Sequence, residues 1–148
     1  MSEEVMDLLR ANVIRMKRSV DWLRRSYEKC SGIGVKTSYT EDEFDAFENL
    51  VGRFARTIDL IVNKVFRSID VVELEDGGTT IDAVNRSEKR GIVESAARIR
   101  ELRDLRNEIV HEYETDDLKG LFKETIECVP EVLRLAERTA QYCLRFEH

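Results

Sequence analysis

The chain has 148 residues, 42% of them hydrophobic and 36% charged, with 24 basic and 30 acidic side chains giving a net charge of -6. One proline and seven glycines are the balance of a mostly helical chain, which excludes a collagen-like or low-complexity protein and argues against a sheet sandwich. No apolar run approaches the ~20 residues of a membrane span, and the net negative charge argues against a general nucleic-acid coat.

The first predicted helix covers about residues 3–29. Ser2 is its cap, Glu3 and Glu4 suit its positive end, and Val5, Leu9, Val13, Met16, Val20, Leu23 and Tyr27 form one apolar stripe. The run 31–39, with Gly32 and Gly34, ends it. Thr40-Glu41-Asp42-Glu43 is a capping box opening a second helix that ends near 70–75. Its stripe of Phe44, Phe47, Val51, Phe54, Ile58, Ile61 and Val65, widened by Leu50, Val62 and Ile69, marks it as the centre of the core. A short helix follows at about 80–90, capped by Thr79 or Thr80 and stopped at Gly91. Ser95 then caps a longer one running to about 112. The last helix is expected from about 116 to 145, with Thr115 as its cap and Pro130 kinking it. The expected fold is all-α: an up-and-down bundle of four long helices and one short one, in a single domain over 1–148.

Cys30, Cys128 and Cys143 lack any CxxC spacing and read as reduced thiols, not as a disulfide framework or a zinc site. The opening MSEEVMDLLR carries acids where a secretory signal needs positive charge, so a cytoplasmic protein is expected. Charge is uneven along the chain. Residues 86–106 hold seven bases against four acids, and residues 107–131 hold two lysines against eight acids. The basic segment is either a solvated helix face or a local phosphate-binding surface, in which Arg100 and Arg103 are candidate phosphate contacts.

Histidine is the usual proton carrier near neutral pH. His148 is the last residue, which leaves His111. At 100° per residue, Ile99, Leu102, Leu105, Arg106, Ile109, Val110 and Tyr113 fall within about 140° of one helix. Arg106 therefore sits inside an apolar stripe. A guanidinium there must snorkel out, pair with an acid from another helix, or line a polar cleft. Asn107 and His111 share a second stripe. Arg106 and His111 lie about 140° and ~7.5 Å apart on an ideal helix, so they converge only if the helix loosens before His111 or if a two-fold axis brings two copies together.

Arg106-Asn107-x-x-x-His111 resembles the R-x4-H motif of the HEPN superfamily, all-helical domains that include many ribonucleases. With Tyr113 it becomes R-x4-H-x-Y, the form found in HepT toxins, whose genes pair with a MntA-type nucleotidyltransferase antitoxin. The approach, Asn85-Arg86-Ser87-Glu88-Lys89-Arg90-Gly91 and then Leu102 to Tyr113, is similar as well, and helix order and length agree over nearly the whole chain. The resemblance implies a homodimeric toxin of a type VII-like toxin–antitoxin pair that cuts RNA without a metal or cofactor. RNA carries its own nucleophile, the 2′-OH. Neutral His111 would be the base and Arg106 the phosphate clamp, with a 2′,3′-cyclic phosphate as product. Asn107 would orient the imidazole or donate to the phosphate. Tyr113 would be where the partner attaches AMP, whose charge and bulk would block the cleft.

Two other readings stand beside this one. The chain could be a non-catalytic substrate-binding or scaffold partner of a nucleotidyltransferase, with Arg106 on a nucleotide phosphate. It could also be an inert bundle in which Arg106 pairs with a buried acid such as Asp59.

Overall fold

A computed structural model describes residues 2–75, 77–115 and 118–147, the side chains of residues 112–115 excepted. Helix α1, Glu3–Ile33, opens where the Ser2 hydroxyl accepts from the Val5 N–H. It runs past the expected end through Gly32 and stops at Gly34, whose φ of 83° suits glycine and whose N–H donates to the Cys30 carbonyl. Helix α2, Glu41–Asp59, begins with the expected capping box: Thr40 accepts from the Glu43 N–H while Glu43 accepts from the Thr40 N–H. The second rod is not one α-helix. Leu60–Val65 is a π-helical turn, in which the Phe66 N–H reaches back five residues to the Ile61 carbonyl, and α3, Phe66–Val72, completes it.

Helix α4, Thr80–Lys89, is capped by Thr79, again through a capping box with Asp82. Helix α5, Ala96–Thr115, is capped by the Ser95 hydroxyl, which accepts from the Arg98 N–H at 3.2 Å. Helix α6, Lys119–Cys143, passes through Pro130 and ends in a 3-10 turn, Leu144–Phe146. The expected start of the last helix at 116 with Thr115 as cap is corrected: no glycine or proline follows His111 to stop α5, which continues to Thr115. Residue 118 is then the N-cap of α6, without a side-chain acceptor.

Among the described residues every regular element is helical and none is a strand. None of these helices is long and apolar enough to cross a membrane. The second rod is central: α2 touches α1, α5 and α6, and α3 touches α1 and α4. The expected stripes face inward. Phe47, Phe54, Phe66 and Phe122 are fully buried, and Phe47 stacks on Phe122 with ring centroids 5.0 Å apart. Ile99, Leu102, Leu105 and Ile109 carry α5 onto this core, while Val110, expected on the same stripe, stands 43% exposed at its edge.

Candidate functional site

Helix α5 presents the motif residues because its apolar side is fixed by the core. Arg106 lies on the border of that side, and its side chain is 31% exposed. It reaches across to α2, where Nη2 donates to Asp59 Oδ2 at 2.6 Å, and its Nη1 donates to Asn107 Oδ1 at 3.0 Å. The Nε–H is buried, out of reach of a ligand, and finds no acceptor among the described residues. Asp59 is not the buried acid of the inert-bundle reading: it is 35% exposed, and it accepts a second bond from Asn63 Nδ2 at 3.3 Å. The Asn63 oxygen accepts from the Thr80 hydroxyl at 3.1 Å, tying the site to the start of α4. Asn63 belongs to the π turn, and such turns recur at functional sites because they re-aim side chains without ending the helix.

His111 and Asn107 are exposed. Helix α5 is continuous from Ala96 to Thr115, so the helix does not loosen before His111. Within one chain Arg106 and His111 therefore stay about 140° apart. Asn107 turns its oxygen to Arg106 rather than to the imidazole, so it braces the cation. The Tyr113 side chain lies outside the described residues. Arg100 is exposed and Arg103 half-buried, both on α5.

Much of the basic segment is consumed inside the protein. Arg98 forms a two-pronged contact with Glu131, Nε to Oε2 at 3.0 Å and Nη2 to Oε1 at 2.9 Å, and adds Glu101 at 2.9 Å. These hydrogen bonds hold its pKa above the usual arginine value. Arg86 and Arg90 both grip Asp70, at 3.0 and 2.7 Å. The phosphate surface suggested by charge counting is correspondingly reduced to bases such as Arg100 and Arg103.

Asp70 is the residue that sequence reasoning missed. It is 2% exposed and holds Arg86 of α4 and Arg90, the residue that ends that helix. Arg90 also reaches Glu73, which accepts from the Tyr142 hydroxyl at 2.8 Å. Burial pulls the Arg90 pKa down, but hydrogen bonding to Asp70 and the charges of Glu73 and Asp70 outweigh it, and the net direction is up. An acid between the apolar Ile69 and Val71, with two arginines four apart at the end of the next helix, was the available signal.

The thiols form no chemical centre. Burial pushes Cys30 and Cys143 up to about 11, and it raises Cys128 as well. Among the described residues no three of His, Cys, Asp and Glu gather as a metal-ligand set. Comparison of the chain with family models, with curated proteins and with solved structures returned no match.

Proposed function

We propose that this chain is a HepT-like endoribonuclease toxin of the HEPN class, an up-and-down helical bundle that cuts RNA through its 2′-OH and is neutralised by a MntA-like nucleotidyltransferase in the cytoplasm. The observation that carries the reading is Arg106: a permanent cation, about one third exposed and braced by Asp59 and Asn107. A substrate phosphate would be gripped by its remaining N–H groups. His111, exposed one and a half turns further along the same helix, would take the 2′-OH proton. Because α5 is unbroken, the two groups would meet across a two-fold axis, Arg106 of one chain facing His111 of its partner. Tyr113 would carry the AMP that blocks this cleft.

The test is cleavage of a labelled RNA by the purified chain. His111→Ala and Arg106→Ala should each lower the rate by about 10²–10⁴-fold with little change in melting temperature. Cleavage at the wild-type rate by either variant overturns the assignment. Tyr113→Phe should stay active yet escape AMP attachment. AMP found on that variant at the wild-type level removes the tyrosine from the proposal.

The Arg106–Asp59 ion pair also favours a second reading, in which Arg106 is a structural cation and the protein does not cut RNA. Under it no RNA is cleaved, and Asp59→Asn destabilises the fold as strongly as loss of a buried partner would. If the chain binds AMP or RNA without cutting it, the non-catalytic partner of a nucleotidyltransferase is the better description.

A further inference from the structure

Helix α1 turns a basic face to solvent. Arg15, Arg18, Trp22, Arg25 and Lys29 follow one another at spacings of three and four, which confines them to roughly 80° of the helix circumference. All five are exposed, and Trp22, the one tryptophan of the chain, is 47% exposed. No acid between Arg15 and Lys29 falls on that arc; Asp21, the nearest, lies off its edge and contacts Arg24 at 3.7 Å.

Two arginines flank the indole. The Arg25 and Arg53 guanidinium carbons stand 5.4 and 4.8 Å from the ring centroid. Arg53 is pinned there from α2, donating to the Ser26 hydroxyl at 2.7 Å and to the Trp22 carbonyl at 3.4 Å. Trp22, Arg25, Lys29, Asn49 and Arg53 line a depression of about 270 Å³.

Arg53 also starts a line toward the motif. Arg53, Arg56 and Asp59 are three residues apart on α2, so each step advances about 4.5 Å and turns about 60° in the same sense. Exposed Arg56 is thus midway between the Trp22 depression and the aspartate that holds Arg106.

We propose that this strip is the docking track for single-stranded RNA: an unpaired base stacks on Trp22, and the backbone phosphates run from Lys29 past Arg25 and Arg53 to Arg56 and on toward Arg106. The track rests on the nuclease reading for its destination, although its aromatic and basic parts are independent of it. A protein of net charge -6 does not concentrate five cations around one exposed indole by composition alone. Cations spaced by an aromatic ring are what a single strand requires, since every base offers a π face and every nucleotide a charge. A base seated on Trp22 displaces the Arg25 guanidinium and frees it for the adjoining phosphate. An acidic peptide would use the charges but leave the ring idle, and a duplex keeps its bases stacked away from it.

Trp22 reports on its own occupancy. Wild-type protein is titrated with a short 2′-O-methyl single strand, which has no free 2′-OH to be cut, and indole fluorescence is followed. Saturable quenching that weakens with salt is expected, with none from the same backbone lacking bases and none from polyglutamate. With a labelled strand, Trp22→Ala should weaken binding about tenfold and Trp22→Phe much less, since a phenyl ring still stacks. Arg25→Glu and Arg56→Glu should weaken it too, with melting curves confirming that each variant folds. The track is overturned if the strand binds without quenching, if Trp22→Ala binds and cleaves with unchanged affinity and KM, or if polyglutamate quenches as well, which would assign the face to an acidic protein partner. Quenching without any RNA cleavage leaves the track standing and sinks the nuclease reading. Cleavage that ignores Trp22 does the reverse.

Discussion

Arg90 and Arg106 each leave their own helix to hold an aspartate of the second rod, but the two contacts sit in different surroundings. The Arg90 side chain is 10% exposed and its aspartate, Asp70, 2%, with Arg86 and Glu73 closing the cluster. The Arg106 pair is about one third exposed on both sides. The first is a closed charge network that joins α3 to α4. The second positions a cation and leaves it reachable. Burial, rather than the identity of the pair, separates an arginine committed to the fold from one available to a ligand.

The sharpest way to break this comparison is to remove each aspartate. Asp70→Ala removes the buried acid that Arg86 and Arg90 share, leaving them the acids Glu75 and Glu73, and should cost about 3–5 kcal/mol of stability, read from denaturant unfolding. A loss below ~1 kcal/mol would mean the network is wet and the contrast is false. Mixing tests the open end. If Arg106 acts with the His111 of a partner chain, equal amounts of Arg106→Ala and His111→Ala should recover about one quarter of wild-type cleavage, since half the dimers are mixed and each has one intact site. Activity that stays at zero after verified subunit exchange refutes the shared site.

Asp59→Asn should lower stability by less than ~1 kcal/mol, as for other half-exposed pairs. A loss as large as that of Asp70→Ala would make Arg106 a structural cation. The smallest effect is in acid. The Thr79 backbone N–H and hydroxyl hold the Asp82 carboxyl below its ordinary value. A depressed folded-state pKa contributes stability above the unfolded value, about 3.9, and that stability is lost as pH falls through the folded one. Asp82→Asn should therefore unfold with a slightly shallower pH dependence below about pH 4, and an unchanged acid limb would remove the capping box from the balance.

What was legible in the sequence was local. Ser2, Thr40 with Glu43, Thr79 and Ser95 each cap the helix they precede, because a cap needs only three residues of chain. In the last helix Leu118, Phe122, Thr125, Val129, Val132, Ala136, Thr139, Cys143 and Phe146 fall on one face by spacing; all are buried except Phe146, which is half-buried. Arg106 within an apolar stripe needed one of three outlets for its charge, and of these it takes an acid of another helix, Asp59. Contacts set by packing rather than periodicity were not legible. Asp70 meets Arg86 and Arg90 only because α3 and α4 fold together, and Trp22 meets Arg53 only across α1 and α2. The end of α5 was misread because nothing in residues 111–115 stops a helix, and a cap residue was mistaken for a boundary.

The wide turn at Leu60–Val65 gives the central rod a slack residue. Everywhere else in that rod, a one-residue deletion would swing the residues beyond it by about 100°, carrying Phe66, Ile69 and Asp70 off their faces. Here the turn can tighten to ordinary α pitch and absorb the loss. A chain lacking exposed Lys64 should keep both the aromatic core and the Asp70 cluster in register, so length variation between related proteins is best tolerated at this point of the rod.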